Sequence, residues 1–331
     1  MTGWIRRASR ARLVAAALAT AAACGAAWVA VRELSGGPSP PAPAGIERVR
    51  QLVASAQRPA GMSARVSFTN NVLPGLDLGD GAAPESPLLG GGAGRLWWSP
   101  AGTRLELQSP AGDVQVLAGP SGLRLLDAQA DTESQLPVAL GGIVSALFDR
   151  FSAGGAWNPG PPRPAVVGGR PAYRVMLQPR DRSSLLAGVD VAVDAATGLP
   201  LEVAVLARGR SSPALSLSLH DVSLGAVDRS VIDVAAAARR DVPLGAALGF
   251  LGPIGSPRAV AGSGLSAVYA WRTASPGGLW DLLPRRTVDG ASARELVSPL
   301  GTVLLLDRPG GTVALAGLVA PKVVEQAAAR L

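Results

Sequence analysis

Alternation of apolar and polar residues at every second position is the feature that most limits the fold of this chain. In the stretch GVDVAVDAATGLPLEVAVLARG, residues 188–209, two alternating segments flank the turn Asp-Ala-Ala-Thr-Gly-Leu-Pro. Because successive side chains of a β-strand point to opposite faces, this stretch predicts a hairpin with one apolar face. The same alternation recurs between residues 63 and 221, so the sequence predicts a large antiparallel sheet of many strands.

The strands of this sheet are delimited by short turns rich in glycine and proline. The predicted strands are 63–69, 94–98, 103–108, 113–118, 122–127, 171–178, 188–194, 199–207 and 213–221. Parity places their apolar side chains on one face. The residues that we predict to line this face are Trp98, Leu105, Leu107, Val191, Val193, Val203 and Val205, with Leu201 on the same side.

Only two sizeable helices are predicted to cover the apolar face. Residues 46–57 and residues 138–151 carry apolar side chains at helical spacing. Two helices are a thin cover for so many strands, which favours a strongly curved sheet wrapped around them with apolar space left for a ligand. The alternative is that side chains fill this space and the apolar face is ordinary core.

Two adjacent tryptophans, Trp97 and Trp98, must point to opposite faces of their strand. We therefore expect one ring to be buried and the other exposed, where it either covers a sheet edge or lies at the mouth of a cavity. Leu88 and Leu89, in the glycine-rich loop just before them, are a candidate lid over the apolar face.

The N-terminus combines a basic segment, residues 1–12, with an uncharged one, Leu13 to Val31. A helix of that second length spans about 28 Å, close to the thickness of the bilayer's hydrocarbon core. Three interpretations stay open: an uncleaved transmembrane anchor, a cleaved signal segment, or a lipoprotein signal in which Cys24 is acylated. All three place the rest of the chain outside the cytoplasm, since the basic end stays inside.

Beyond this segment, composition divides the chain into a linker and two domains. Residues 35–45 form a linker rich in proline and glycine, followed by the large-sheet domain, 46–235. A smaller α+β domain, 241–331, is predicted to contain strands at 265–271, 301–306 and 312–317 and a closing helix at 321–331. Residues 252–264 read as an irregular break. The predicted fold class is therefore α+β.

Charge and reactive residues argue against several function classes. Of the formal charge of +7, residues 1–34 contribute +4, from five arginines and one glutamate, so the rest of the chain is too balanced for a nucleic-acid-binding face. The single cysteine excludes a disulfide within the chain. The single histidine, His220, is expected on the solvent-facing side of its strand, and Asp77, Asp80 and Glu85 are expected in a solvated loop. We therefore predict no enzymatic activity, metal or cofactor.

Two motifs resemble a known superfamily. The segment GGRPAYRVMLQP, residues 168–179, followed by VDVAVDAATGLPLEVAV, residues 189–205, resembles the lipoprotein-carrier (LolA-like) superfamily and the MucB/RseB regulators of extracytoplasmic stress sigma factors. The resemblance spans residues 46–235. It implies a half-open barrel that shelters acyl chains and that has no catalytic residues. A smaller C-terminal domain is typical of the regulators rather than of the simple carriers, and residues 310–331 look like the ending of two-domain relatives in high-GC Gram-positive (actinobacterial) bacteria.

This resemblance implies two functions for a membrane-tethered, extracytoplasmic binding protein. In the first, the protein is a regulatory sensor that binds an anti-sigma factor or another envelope protein, with a lipid sensed in an apolar cavity. In the second, it is a carrier or binding protein for lipids or lipoproteins in envelope trafficking.

Overall fold

A computed structural model describes residues 38–56, 59–72, 90–110, 112–119, 122–127, 132–136, 157–232, 240–241, 257–273, 280 and 283–331. The chain divides into two compact units, Met1–Pro40 and Pro41–Leu331. The predicted segment 13–31, Cys24, the loop residues Asp77, Asp80 and Glu85, the candidate lid Leu88 and Leu89, and the predicted helix 138–151 lie outside the described residues. Among the helices that the structure does describe, none is long and apolar enough to cross a membrane.

The described part of the second unit is built mainly of β-strands. Its helices are α1 (Ile46–Ala54), α2 (Arg229–Ile232) and α3 (Pro321–Ala328). The strands are β1 (Met62–Asn70), β2 (Gly91–Ser99), β3 (Gly102–Ser109), β4 (Gly112–Gly119), β5 (Gly122–Asp127), β6 (Thr132–Leu136), β7 (Trp157–Pro159), β8 (Arg163–Val167), β9 (Arg170–Pro179), β10 (Leu186–Asp194), β11 (Pro200–Ala207), β12 (Leu215–Leu224), β13 (Arg240–Asp241), β14 (Arg258–Ala261), β15 (Val268–Thr273), β16 (Arg285–Val288), β17 (Ala291–Val297), β18 (Thr302–Arg308) and β19 (Gly311–Gly317).

These strands form two sheets. The larger sheet has 13 strands in the order β13-β6-β5-β4-β3-β2-β1-β12-β11-β10-β9-β7, with β8 paired to β9. The smaller sheet has six strands in the order β14-β15-β19-β18-β17-β16. Every described pair is antiparallel except β6 with β13. The prediction of a large antiparallel sheet with few helices is confirmed, and among the described strands this sheet is open rather than closed into a barrel.

All nine strands predicted in the large sheet are present, and the differences lie in short or glycine-flanked segments. The predicted break at 252–264 contains β14, and the strand predicted from residue 265 begins instead at Val268. The chain turns before it through a 3-10 turn at Gly264–Ser266, with Gly262 and Gly264 at positive φ. Alternation gave no signal for β7 because this strand has three residues and ends in proline.

The large sheet packs tightly at β2, where three glycines interrupt the strand's side chains. A Cβ atom on Gly94 would lie 1.7 Å from the carbonyl oxygen of Glu106 on β3, and one on Gly92 would lie 2.4 Å from that of Gln108. Only glycine allows the two backbones to approach so closely. Glycine positions of this kind are where sheets bend, so these residues favour a curved sheet, and the curvature itself stays a prediction.

The six-stranded sheet is apolar on both faces. On one face, Val324, Ala327 and Ala328 of α3 pack against a buried cluster that includes Leu304 and Leu315. This helix begins with Pro321 in its first turn, as the sequence predicts. On the other face, Trp280 and Leu296 belong to a second cluster. The large sheet also includes β13, since Arg240 and Asp241 pair with β6. Residue 241, where we predict the second domain to begin, is therefore the last residue of a strand of the large sheet.

Candidate apolar binding site

The β10–β11 turn is fixed by one buried carboxylate. Asp194 is 1% exposed. Its Oδ1 atom accepts hydrogen bonds from the backbone nitrogens of Ala196 (3.0 Å) and Thr197 (2.7 Å) and from the Thr197 hydroxyl (2.9 Å). Its Oδ2 atom accepts one from Arg170 on β9. Burial opposes ionisation of Asp194, but the hydrogen bonds from Arg170 and Thr197 outweigh it and lower the pKa of this carboxyl.

The same turn positions α1. Gly198 has φ +74°, and a Cβ atom there would lie 2.4 Å from the carbonyl oxygen of Leu52 in α1. Leu52 and Val53 pack against the buried cluster that contains Val191 and Val193. The apolar face of the β10–β11 hairpin is therefore covered by α1 on the side nearest the turn.

The strand register extends this apolar face across nine neighbouring strands. One row of directly opposed residues runs Val175, Val191, Val203, Leu217 and Phe68 on β9, β10, β11, β12 and β1. A second row, on β1 to β5, runs Ala64, Leu96, Leu105, Val116 and Leu125. Between them, Val66 and Leu107 face each other across Gly94.

The predicted site residues fall into two neighbouring clusters on this face. Val191 and Val193 are buried in the α1 cluster, against which Val203 and Val205 pack half-buried. Leu107 is 1% exposed in the other cluster, with Leu105 half-buried beside it. Trp98, also half-buried, lies opposite Met62 and Thr103 at the end of β2. Leu217 on β12 lies directly opposite Val203 on β11 and packs against the second cluster, so it connects the two clusters.

Burial across this face is uneven. Around the buried residues of the second cluster lie apolar side chains that are only half-buried: Met62, Phe68, Leu96, Leu105 and Leu217. Our sequence prediction of the site missed Phe68, Leu96 and Leu217. Alternation within β1, β2 and β12 places all three on the correct face, and this signal was available in the sequence. A continuous, partly accessible apolar surface of this kind can hold a hydrocarbon chain.

Leu201 does not join this face, contrary to its predicted place beside Val203 and Val205. The register between β10 and β11 shifts between Ala192 and Val193, so that Leu201 is the extra residue of a bulge. Leu201 is instead buried with Ala172, Ala192 and Val167 on the opposite face.

The prediction that one of the two tryptophans is buried and the other exposed is wrong, since both are half-buried. Trp97 lies on the face opposite Trp98, and that face is not bare. The guanidinium carbon of Arg104 lies 5.5 Å from the centre of the Trp97 ring, a cation–π contact. Arg104 also donates a hydrogen bond to the carbonyl oxygen of Val231 in α2, which packs against β2 and β3.

The polar face carries ion pairs and the single histidine. Arg174 donates two hydrogen bonds to Glu202 (2.9 and 3.0 Å) and one to Asp190 (3.0 Å). The Glu202 carboxylate raises the pKa of Arg174, although burial opposes it, and Asp190 adds to the rise.

His220 is half-buried and its Nε2 atom lies 3.0 Å from the Ser67 hydroxyl. Asp221, next in sequence, pairs with Arg65 rather than with the imidazole. Within the described part of the chain no carboxylate therefore orients the ring as a catalytic triad would require. Those same residues contain no group of three or more histidine, cysteine, aspartate or glutamate side chains that can hold a metal ion.

No protein-family model matches the sequence, and no curated protein matches it either. Among solved structures, the chain is similar to MucB (13% identity, 85% of this chain and 95% of that one, TM-score 0.46) and to the MucA/MucB complex of Pseudomonas aeruginosa (15% identity, 86% and 95%, TM-score 0.48). It is also similar to a LolA superfamily protein from Nitrosomonas europaea (14% identity, 58% and 98%, TM-score 0.25). These structures include both groups that the sequence motifs resemble.

Proposed function

We propose that this chain is an extracytoplasmic, non-catalytic binding protein of the MucB/RseB and LolA-like kind, whose half-open apolar sheet holds an acyl chain. The observation that carries this proposal is the row of half-buried apolar side chains that includes Phe68, Val203 and Leu217. Closing a hydrocarbon chain over such side chains removes apolar surface from water on both partners, which contributes about 25 cal/mol per Å².

The regulatory role is the second part of the proposal. The protein binds an anti-sigma factor or another envelope protein, and lipid occupancy of the sheet changes that contact. This partner class is the one implied by the regulators that residues 168–179 and 189–205 resemble, and one of the similar solved structures is a complex of MucB with MucA. The division into domains 46–235 and 241–331 belongs to the same proposal, because the regulators that the motifs resemble typically carry a second, smaller domain.

A membrane tether completes the proposal. Either the uncharged segment 13–31 holds the binding domain at the outer surface of the membrane as an uncleaved anchor behind the basic residues 1–12, or an acyl group on Cys24 holds it there after cleavage. Where the linker enters the folded unit, the hydroxyl of Tyr173 on β9 donates a hydrogen bond of 2.9 Å to the carbonyl oxygen of Ala42.

The proposal is tested by placing a charge on the apolar face. We expect Leu217→Asp to lower the affinity for a fluorescent fatty acid by at least about 30-fold, because the variant loses about 2 kcal/mol of apolar contact and buries a carboxylate beside the hydrocarbon. The matched control is Ser218→Asp, one residue along β12 on the polar face. Titration of the full chain with the probe measures both affinities.

Equal affinities of Leu217→Asp and Ser218→Asp, or no binding by the wild-type chain, would contradict an acyl site on this face. Transfer of the bound probe to acceptor vesicles without any effect of an added envelope protein would favour the carrier function over the regulator.

A further inference from the structure

A rigid turn of the smaller sheet carries Leu300 out of that sheet. In the turn Ser298-Pro299-Leu300-Gly301, the Ser298 hydroxyl accepts hydrogen bonds from the backbone nitrogens of Leu300 (3.3 Å) and Gly301 (3.0 Å). The backbone nitrogen of Ser298 donates to the carbonyl oxygen of Gly301 at 2.8 Å. Proline at the second position fixes the turn further. The side chain of Leu300 is therefore presented in one defined position.

Leu300 is buried in the core of the large sheet rather than in that of its own sheet. It belongs to the cluster of Leu186, Val189, Ala207 and Ala214, at the end of the β10–β11 hairpin opposite the Asp194 turn. Leu265, also from the smaller sheet's side, packs against the same cluster. The backbone nitrogen of Leu185 donates a hydrogen bond of 2.7 Å to the carbonyl oxygen of Leu318, which fixes the two sheets together at this point.

The apolar face closes where Leu300 packs. Along β11, Val203 and Val205 are half-buried, whereas Ala207 is 2% exposed. Leu217 and Leu215 on β12 are likewise half-buried, whereas Ala214, in the bend just before β12, is 2% exposed. Both alanines belong to the buried cluster that contains Leu300.

We infer that Leu300 is the end stop of the acyl site and sets the longest hydrocarbon chain that the sheet accepts. This inference rests on the proposed function. A chain that lies along Leu217, Leu215 and Val205 with its methyl end toward Ala207 and Ala214 meets Leu300, so that a longer chain leaves its additional methylenes in water. Each methylene that is accommodated rather than left in water changes the affinity by about fourfold.

The test is a series of saturated fatty acids, from about 12 to about 20 carbons, that displace a fluorescent fatty acid from the full chain. Leu300→Ala shortens the stop by about two methylenes, so the variant can accommodate an acid two carbons longer than the one that the wild type binds best. We expect Leu300→Ala to bind this longer acid on the order of tenfold more tightly than the wild type binds it. Leu300→Phe lengthens the stop and is expected to move the optimum to shorter acids. The matched control, Val297→Ala on the same hairpin, alters a side chain that is 53% exposed and is expected to keep the wild-type optimum.

The outcomes separate the inference from the proposed function. No displacement by any acid in the wild type would overturn both. Binding with the same optimal length in the wild type, Leu300→Ala and Leu300→Phe would overturn the end stop alone. If Leu300→Ala does not fold, as its circular dichroism would show, the shift in Leu300→Phe against Val297→Ala decides the question.

Discussion

Replacing Asp194 with alanine is expected to lower the free energy of unfolding by about 3 to 5 kcal/mol. The substitution removes a carboxylate that is 1% exposed, leaves the backbone nitrogens of Ala196 and Thr197 without their acceptor and breaks the ion pair with Arg170. Losses of this size are typical when one partner of a buried charged pair is removed. The effect should extend to α1, because the turn that Asp194 fixes also packs Gly198 against Leu52. Denaturant unfolding measures the loss.

Asp228→Ala is the matched control, since Asp228 also accepts hydrogen bonds from a backbone nitrogen and a hydroxyl, both of Ser230, but in an exposed turn. It should produce a clearly smaller loss. Equal losses in the two variants would contradict the role that we assign to burial at the β10–β11 turn.

The lowered pKa of Asp194 also predicts a pH dependence. A carboxyl whose pKa is lower in the folded than in the unfolded state stabilises the fold above its unfolded pKa, about 3.9 for aspartate. That stabilisation is lost as the pH falls through the folded pKa. When the free energy of unfolding is plotted against pH, the wild type should therefore lose stability more steeply below about pH 4 than Asp194→Asn does. Above about pH 5 the two curves should run parallel. If the two curves run parallel over the whole pH range, pairing with Arg170 does not lower the pKa of Asp194.

Gly94→Ala is expected to cost about 3 kcal/mol or more. Its Cβ atom would lie 1.7 Å from the carbonyl oxygen of Glu106 and 2.7 Å from the carbonyl carbon. Both are backbone atoms of β3, so no side-chain rotation relieves the contact and the β2–β3 pairing must shift. The shift would reach the acyl site, because Leu96 and Leu105 face each other across this pair. Thermal unfolding of the purified variant tests the prediction.

Gly119→Ala serves as its control in the same sheet. The nearest atom to a Cβ there is the carbonyl oxygen of Ala101, at 3.7 Å, an ordinary contact. This variant should stay within about 0.5 kcal/mol of the wild type. A Gly94→Ala protein as stable as Gly119→Ala would contradict the close approach of β2 and β3.

Much of the large sheet follows from local sequence chemistry. Alternation fixes which side chains share a face, so Val191 and Val203 meet as predicted. The Asp-Ala-Ala-Thr-Gly turn satisfies its own backbone donors through Asp194, so its place in the sequence predicts its place in the hairpin. Helix α1 likewise follows from apolar spacing and ends near its predicted limit, at Ala54.

The remaining features depend on contacts between residues far apart in sequence. Alternation continues through Leu201, but a bulge in the pairing of β11 with β10 turns that side chain to the other face. Trp97 is half-buried because Arg104 and α2 lie on its face of the sheet. The sequence immediately around Trp97 does not predict either contact. Leu300 looks like an ordinary residue of a proline-containing turn, and only the packing of one sheet against the other assigns it to the apolar face.

The most direct test of the acyl site is native mass spectrometry with lipid extraction of the full chain, purified from its own host in parallel with Leu217→Asp and Ser218→Asp. Our account predicts that a stoichiometric acyl lipid accompanies the wild type and Ser218→Asp and is lost from Leu217→Asp. A folded wild-type chain with no bound lipid, or the same lipid content in all three proteins, would show that the apolar face is ordinary core.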